Sequence, residues 1–181
     1  MDIVPDTKDW TWVLQRPCSD CGFDASSMPG RDVAAMLRTC AAHWQDELRR
    51  PDVRVRPAPS TWSPLEYACH VRDVCRRFEA RLTLMLDHDD PVFENWDQDA
   101  TALKARYAEQ DPAAVAVELL DAASTLAAHF DDVDGRQWQR GGRRSDGAQF
   151  TVDSFARYFI HDVVHHLHDI DARSRPANPS E

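Results

Sequence analysis

Apolar residues recur at three- and four-residue steps in four long stretches of the chain, and this period predicts amphipathic helices. The first two stretches run from about residue 30 to 50 and from 64 to 87. The others run from 112 to 133 and from 151 to 173. Strand signals are nearly absent, because the one alternating stretch, at 53–55, is too short to count. The pattern therefore predicts an all-α fold, a four-helix bundle with connections of unequal length.

The second helix has the clearest start signal in the sequence. Ser63 can cap it, Pro64 stands at the first helical position, and Glu66 stands at the third, so the three form a capping box. Trp62 precedes the cap, where a hydrophobic staple would begin. Thr151 can cap the fourth helix in the same way.

The length of 181 residues suits one domain. Residues 1–29 contain three prolines and no helical period, and they are expected to form an irregular N-terminal segment. The bundle is expected to span residues 30–173, with one short helix near 101–109 and a glycine-rich loop before the last helix. Residues 174–181 are expected to form a disordered tail.

The net negative charge of the chain disfavours anionic binding partners. A net charge of -10 would repel nucleic acid and anionic membrane surfaces, so neither is expected as a partner. No uninterrupted apolar run approaches 18 residues, and the N-terminus lacks the basic start and apolar core of a signal peptide. The expected location is the cytoplasm.

The last predicted helix contains the stretch HDVVHHLHDI, at 161–170, with four histidines and two aspartates. Because a helix advances about 100° per residue, these side chains fall into two lines. The outer line, roughly opposite the apolar side, consists of His161, His165 and His168. The inner line, at the border of the apolar side, consists of Asp162, His166 and Asp169. Either line has the spacing that lets two side chains of one helix hold one metal ion.

A metal site inside a bundle is built from inward side chains of facing helices, and this favours Asp162 and His166. The third ligand must come from another helix, and His70 lies on the flank of the second helix's apolar stripe. A hydrogen-bonded core histidine is the ordinary alternative for His70. The pair His161 and His165 stays open as the alternative on the last helix, either as a solvated face or as a weaker site.

The chain has five cysteines, and the odd count disfavours a disulfide framework. Cys18 and Cys21 form a Cys-x-x-Cys pair that could be half of a zinc site or a redox pair. No second Cys-x-x-Cys and no βαβ pattern support either role, so the favoured interpretation is a turn packed on the bundle. The other three lie in helical patterns and are expected in the core; they are Cys40, Cys69 and Cys75.

A basic loop, RGGRRSDG, precedes the last helix. Arg143 and Arg144 in this loop are candidates to bind a thiol cosubstrate or a carboxylate substrate. A solvated basic loop is the alternative, and the sequence favours it.

Two motifs, TWSPLEYACHVRDV and HDVVHHLHDI, resemble the DinB/YfiT-like superfamily, which includes mycothiol-dependent maleylpyruvate isomerase-like metal-binding domains. Members typically begin the second helix with Trp-Ser/Thr-x-x-Glu and place a metal-binding histidine shortly after, which here is His70. Many carry His-x-x-His-His in the last helix, where the first and last histidines bind metal. The matching positions are Asp162 and His166, and some thiol-dependent members use a carboxylate at the first. The resemblance thus implies the metal ligands His70, Asp162 and His166.

The resemblance also implies an up-down bundle with unusual crossovers, a divalent metal ion at one end, and often a homodimer. The ion would be zinc, with nickel as the second choice. Characterised members activate a low-molecular-weight thiol such as mycothiol, so the partners would be a small thiol and an electrophile. The implied function is a metal- and thiol-dependent transferase or isomerase. The alternative is a non-catalytic, metal-binding stress-response module.

Overall fold

The structure, a computed structural model, describes residues 9–174 and the side chains of residues 9–171. Its helices are α1 (Val33–Glu47), α2 (Pro64–Asp87), α3 (Gln98–Lys104), α4 (Pro112–Asp131) and α5 (Val152–Ser174). The four long ones form a bundle, which confirms the predicted fold class. The predicted bounds of α2 agree with the structure at both ends, because capping signals and a long periodic pattern specify this helix locally.

Both α1 and α2 pack against both α4 and α5, so the four helices enclose one core. Phe78 of α2 contacts Phe155 and Phe159 of α5, with ring centroids 4.5 and 5.1 Å apart. These buried aromatic contacts fix the register of α2 against α5. About two turns earlier in α2 lies His70, and it faces side chains about two turns later in α5. The aromatic core therefore positions the candidate metal ligands.

The start of α2 is held by the predicted capping box. The Ser63 hydroxyl accepts a hydrogen bond from the Glu66 backbone amide, and the Glu66 carboxylate accepts one from the Ser63 amide at 2.9 Å. Trp62 packs edge-on against Tyr67 with ring centroids 5.5 Å apart, which is the expected hydrophobic staple. Arg56 donates two hydrogen bonds to the Glu66 carboxylate. The first turn of α2 is thus rigidly fixed one turn before His70.

A small three-stranded sheet corrects the expectation that the chain has no strands. It consists of β1 (Val92–Phe93), β2 (Gly141–Arg144) and β3 (Gln149–Thr151). The central strand, β2, pairs parallel with β1 and antiparallel with β3. The glycine-rich loop is therefore partly a hairpin, and Gly147 takes a φ of +98° in its turn. Strands this short, rich in glycine and arginine, have no alternating pattern, and pairing across the fold defines them.

Residues 9–29, the described part of the N-terminal segment, lie on the bundle. They form mainly turns, with one 3-10 helix at Trp10–Leu14 that packs against α5. Gly30 directly follows the segment, and its backbone amide donates a 2.8 Å hydrogen bond to Asp153 Oδ1. A Cβ atom at Gly30 would lie 2.7 Å from that oxygen, so this close approach requires glycine. The predicted tail lies outside the described residues except for Ser174, which is the last residue of α5.

Among the described residues, only α4 is long and apolar enough to cross a membrane by length and composition alone. Its inner face is buried in the bundle through Leu119, Leu126 and Phe130. A core helix passes the same test of length and composition, and these contacts account for the apolar character of α4.

Candidate metal centre

His70 of α2 meets Asp162 and His166 of α5, so the structure brings together the three predicted metal ligands. One ligand atom from each lies within 4.8 Å of the other two. His70 Nε2 is 3.5 Å from Asp162 Oδ2, and His166 Nε2 is 3.6 Å from Asp162 Oδ1. A divalent ion with bonds of about 2.1 Å in tetrahedral geometry separates its ligand atoms by about 3.4 Å. The spacing of the three side chains therefore fits such an ion.

Buried polar atoms without partners support the same conclusion. The His70 side chain is 1% exposed, and both of its ring nitrogens lack a hydrogen bond. Asp162 Oδ2 is likewise buried and without a hydrogen bond. Buried polar groups in native proteins nearly always have partners, and an ion between these atoms would supply one. Two imidazoles and a carboxylate suit zinc, and imidazole also suits nickel.

Aromatic side chains and a carboxylate hold the two histidine rings. His70 stacks on Trp96 with ring centroids 5.4 Å apart and contacts Trp62 at 5.3 Å. The Nδ1 atom of His166 lies 3.1 Å from Asp169 Oδ2. A carboxylate in this position fixes the ring and leaves Nε2 facing the site, as is typical of histidines that bind metal. The inner-line residue Asp169 thus orients a ligand.

In the metal-free protein, the surroundings shift the pKa values of the three candidate ligands in different directions. Burial lowers the pKa of His166, but the nearby Asp162 charge more than offsets this, and the net pKa is about 9. Burial raises the pKa of Asp162, yet His166 and His70 hold it well below its usual range. Burial lowers the pKa of His70. At neutral pH the site therefore contains a carboxylate, an imidazolium and a neutral imidazole.

Metal binding at this centre is expected to release one proton from His166. Because the ion needs the neutral imidazole, affinity should rise about tenfold per pH unit between pH 7 and the His166 pKa of about 9. Chelator-competition titrations across this range measure the slope, with Cys18→Ser/Cys21→Ser protein used so that the Cys-x-x-Cys pair cannot bind the ion. His168→Ala should keep the slope, since His168 is exposed. An affinity that does not change between pH 7 and 8.5 would contradict the charge assignment.

The three ligands open into a cavity of about 930 Å³. Its lining includes Trp62, Trp96, Tyr158 and Arg144. Arg144 pairs with Asp146 at 2.8 Å and donates a 3.2 Å hydrogen bond to the Tyr158 hydroxyl. The cavity therefore has aromatic walls, and its lining includes two arginines, Arg144 and Arg81.

Successive side chains of β2 point to opposite faces, so the two predicted cofactor-binding arginines lie in different surroundings. Arg144 lies in the wall of the cavity, whereas Arg143 does not line it. Arg143 pairs with Asp90 at 3.0 Å and is about half exposed. The geometry therefore brings only Arg144 to the candidate metal centre.

The outer line of histidines is not a solvated face along its whole length, which corrects one expectation. His161 is 3% exposed, because the N-terminal segment covers it, whereas His168 is exposed. One ligand atom from each of four side chains lies within 4.8 Å of the others, and the four are Cys18, Cys21, His161 and His165. The paired spacings Cys-x2-Cys and His-x3-His were the sequence signal for this group. The sequence prediction required a second Cys-x-x-Cys pair for a zinc site and therefore did not include this group.

The remaining histidine and cysteine candidates have ordinary surroundings. His43 lies near Glu47 and Asp171 on the surface, where acidic groups commonly occur without an ion. Three cysteines are buried in the helices as predicted; they are Cys40, Cys69 and Cys75.

Comparison with known proteins identifies the family. The model of the DinB superfamily matches residues 38–170, which is more than half of the chain. YfiT from Bacillus subtilis, a probable metal-dependent hydrolase with an unusual four-helix bundle topology, has a similar structure with a TM-score of 0.62. The two proteins are 17% identical, and the match covers 94% of this chain and 91% of YfiT. No curated protein matches the sequence. The family match covers the three candidate ligands on α2 and α5, and the chain belongs to the DinB superfamily.

Proposed function

We propose that this protein is a metal-dependent enzyme that uses a low-molecular-weight thiol, such as mycothiol, to attack an electrophilic substrate. The reaction is a transfer or an isomerisation, and it takes place in the cavity beside His70, Asp162 and His166. The ion is a divalent metal, with zinc as the first choice. The observation that carries the proposal is the convergence of three buried ligands on an open cavity.

The number of ligands separates a catalytic site from a purely structural one. Among the described residues, this group contains three metal-ligating side chains and no fourth. Structural zinc sites usually have four protein ligands, whereas catalytic sites keep one position for water or substrate. All three side chains line the cavity, so a position left open between them would face it. This arrangement supports turnover rather than a non-catalytic role.

A divalent ion held by His70, Asp162 and His166 would supply Lewis acidity, which would lower the pKa of a nearby thiol. The chain's own residues bind and orient the reactants. Arg144 presents its guanidinium to the cavity, where it suits a carboxylate of the thiol or of the electrophile. Trp62 and Trp96 cover the His70 ring and exclude water from that side. A volume of about 930 Å³ is large enough for a thiol and a second small molecule.

Zinc-loaded protein is expected to conjugate mycothiol to an electrophile such as monochlorobimane, with turnover that requires both the thiol and the metal. His166→Ala should lower the rate at least about 100-fold, because it removes a metal ligand. Fluorescence of the conjugate measures the rate. His168→Ala, a change of an exposed histidine on the same helix, should leave it unchanged.

The same assay separates the competing functions. If the protein hydrolyses an ester without thiol and His166→Ala abolishes this activity, the metal centre is supported but the thiol proposal is overturned. Full metal loading without turnover across several thiols and esters would favour a non-catalytic metal-binding module.

A further inference from the structure

The N-terminal segment places two cysteines against the outer histidines of α5. Cys18 Sγ lies 3.7 Å from His165 Nδ1, and Cys21 Sγ lies 3.9 Å from His161 Nε2. All four ligand atoms fall within 4.8 Å of one another. The proposed function gives this group no role, although it lies next to the metal centre on the same helix.

We infer that Cys18, Cys21, His161 and His165 form a second metal site, which takes one structural zinc ion. Two cysteines and two histidines are a common donor set for structural zinc, and the spacings of two and three intervening residues are typical of it. In tetrahedral zinc with ordinary bond lengths, sulfur and nitrogen ligands lie about 3.5 Å apart. The two observed sulfur–nitrogen distances need to close by only a few tenths of an ångström.

The backbone already forms the turn that such a site requires. The Gly22 amide donates a 2.9 Å hydrogen bond to the Cys18 carbonyl, and the Cys18 amide donates one of the same length to Phe23. Gly22 takes a φ of +75°, a conformation that side chains with a Cβ rarely adopt. Both sulfurs are thus held near the histidines before any ion binds.

The surroundings of the group also favour metal over a simple packed turn. Cys18 and His161 are only 2% and 3% exposed. Cys18 contacts His165 and His161 contacts Cys21, and such thiol–imidazole contacts are weak hydrogen bonds. His165 Nε2 lies 3.8 Å from Asp169 Oδ1, so the nitrogen that points away from the thiols faces a carboxylate. Metal-binding histidines commonly have this arrangement. The Trp10 ring covers both histidines, at 5.5 and 5.1 Å between ring centroids.

Four protein ligands leave no open position, so the ion would be structural rather than catalytic. It would fasten the N-terminal segment to α5 and fix Trp10, which lines the cavity of the first centre. Asp169 contacts both His165 and His166 and therefore joins the two centres. The inference does not depend on the proposed thiol chemistry.

Cobalt substitution tests the site, because among the candidate metal groups in the described part of the chain only this one contains cysteines. Reduced full-length protein, stripped of metal and titrated with Co²⁺, should show a thiolate-to-cobalt charge-transfer band and strong tetrahedral visible absorption. Elemental analysis of zinc-loaded protein should find two zinc ions per chain. Cys18→Ser/Cys21→Ser should lose the charge-transfer band and one zinc ion.

The controls distinguish this site from the first centre. His70→Ala/His166→Ala should keep the charge-transfer band, and so should His168→Ala. A reduced wild-type protein that shows no such band would overturn the inference, whatever the variants do. The same holds if the band persists without Cys18 and Cys21. Because the wild-type spectrum is decisive alone, poor folding of a variant does not remove the test.

Discussion

Replacing His166 with alanine is expected to weaken zinc binding at the first centre by at least about 100-fold, or about 2.7 kcal/mol. The change removes one of three protein ligands and leaves the Asp162 carboxylate beside the buried His70 ring. Two remaining ligands hold a divalent ion poorly, because catalytic zinc sites typically need three. Equilibrium dialysis with elemental analysis measures the effect.

The dialysis is best done with Cys18→Ser/Cys21→Ser protein, so that zinc held by the thiols does not enter the count. One zinc ion per chain is expected in that protein, and an affinity at least about 100-fold lower once His166→Ala is added. His70→Ala should behave like His166→Ala, whereas His168→Ala should retain the ion. Unchanged zinc content in both ligand variants would show that the ion lies elsewhere.

Replacing Glu66 with alanine is expected to destabilise the fold by about 3 kcal/mol. The Glu66 side chain is 4% exposed and accepts hydrogen bonds from Arg56 and from both the amide and the hydroxyl of Ser63. Its removal leaves a half-buried guanidinium and the first turn of α2 without their acceptor. For a domain of this size the melting temperature should fall by roughly 10 °C. Thermal and urea unfolding of metal-free protein measure the change.

Glu109→Ala is the matched control for Glu66→Ala. Glu109 pairs with Arg106 on the surface, and both side chains are more than half exposed. Exposed pairs contribute little to stability, so the melting temperature should not change measurably. If the two variants unfold at the same temperature, the capping box does not hold α2 in the way the contacts indicate.

Local signals in the sequence predicted most of the fold. The start of α2 depends on residues within one helical turn, and the structure places cap, proline and staple where the sequence predicts them. The small sheet had no such signal. Its central strand, Gly141–Arg144, is defined by pairing with Val92–Phe93, about fifty residues earlier. Contacts this distant in the chain cannot be derived from a short local pattern.

The candidate metal ligands were predicted from helix phase and from the family resemblance together. Phase places Asp162 and His166 toward the bundle interior, and the packing of α2 on α5 brings His70 to them. Phase also predicted an outward direction for His161, but it cannot show what covers that side. The covering segment has no helical period, and its cysteines meet the histidines only through the tertiary fold.

A crystal of the zinc-loaded protein, with anomalous data collected at the zinc edge, shows whether an ion binds between the three candidate ligands. We expect an anomalous peak within about 2.2 Å of ligand atoms of His70, Asp162 and His166, with a further position open to the cavity. Zinc-loaded crystals without a peak between these side chains would contradict it. A zinc ion at that position with a fourth protein ligand, and therefore no open coordination position, would also contradict it.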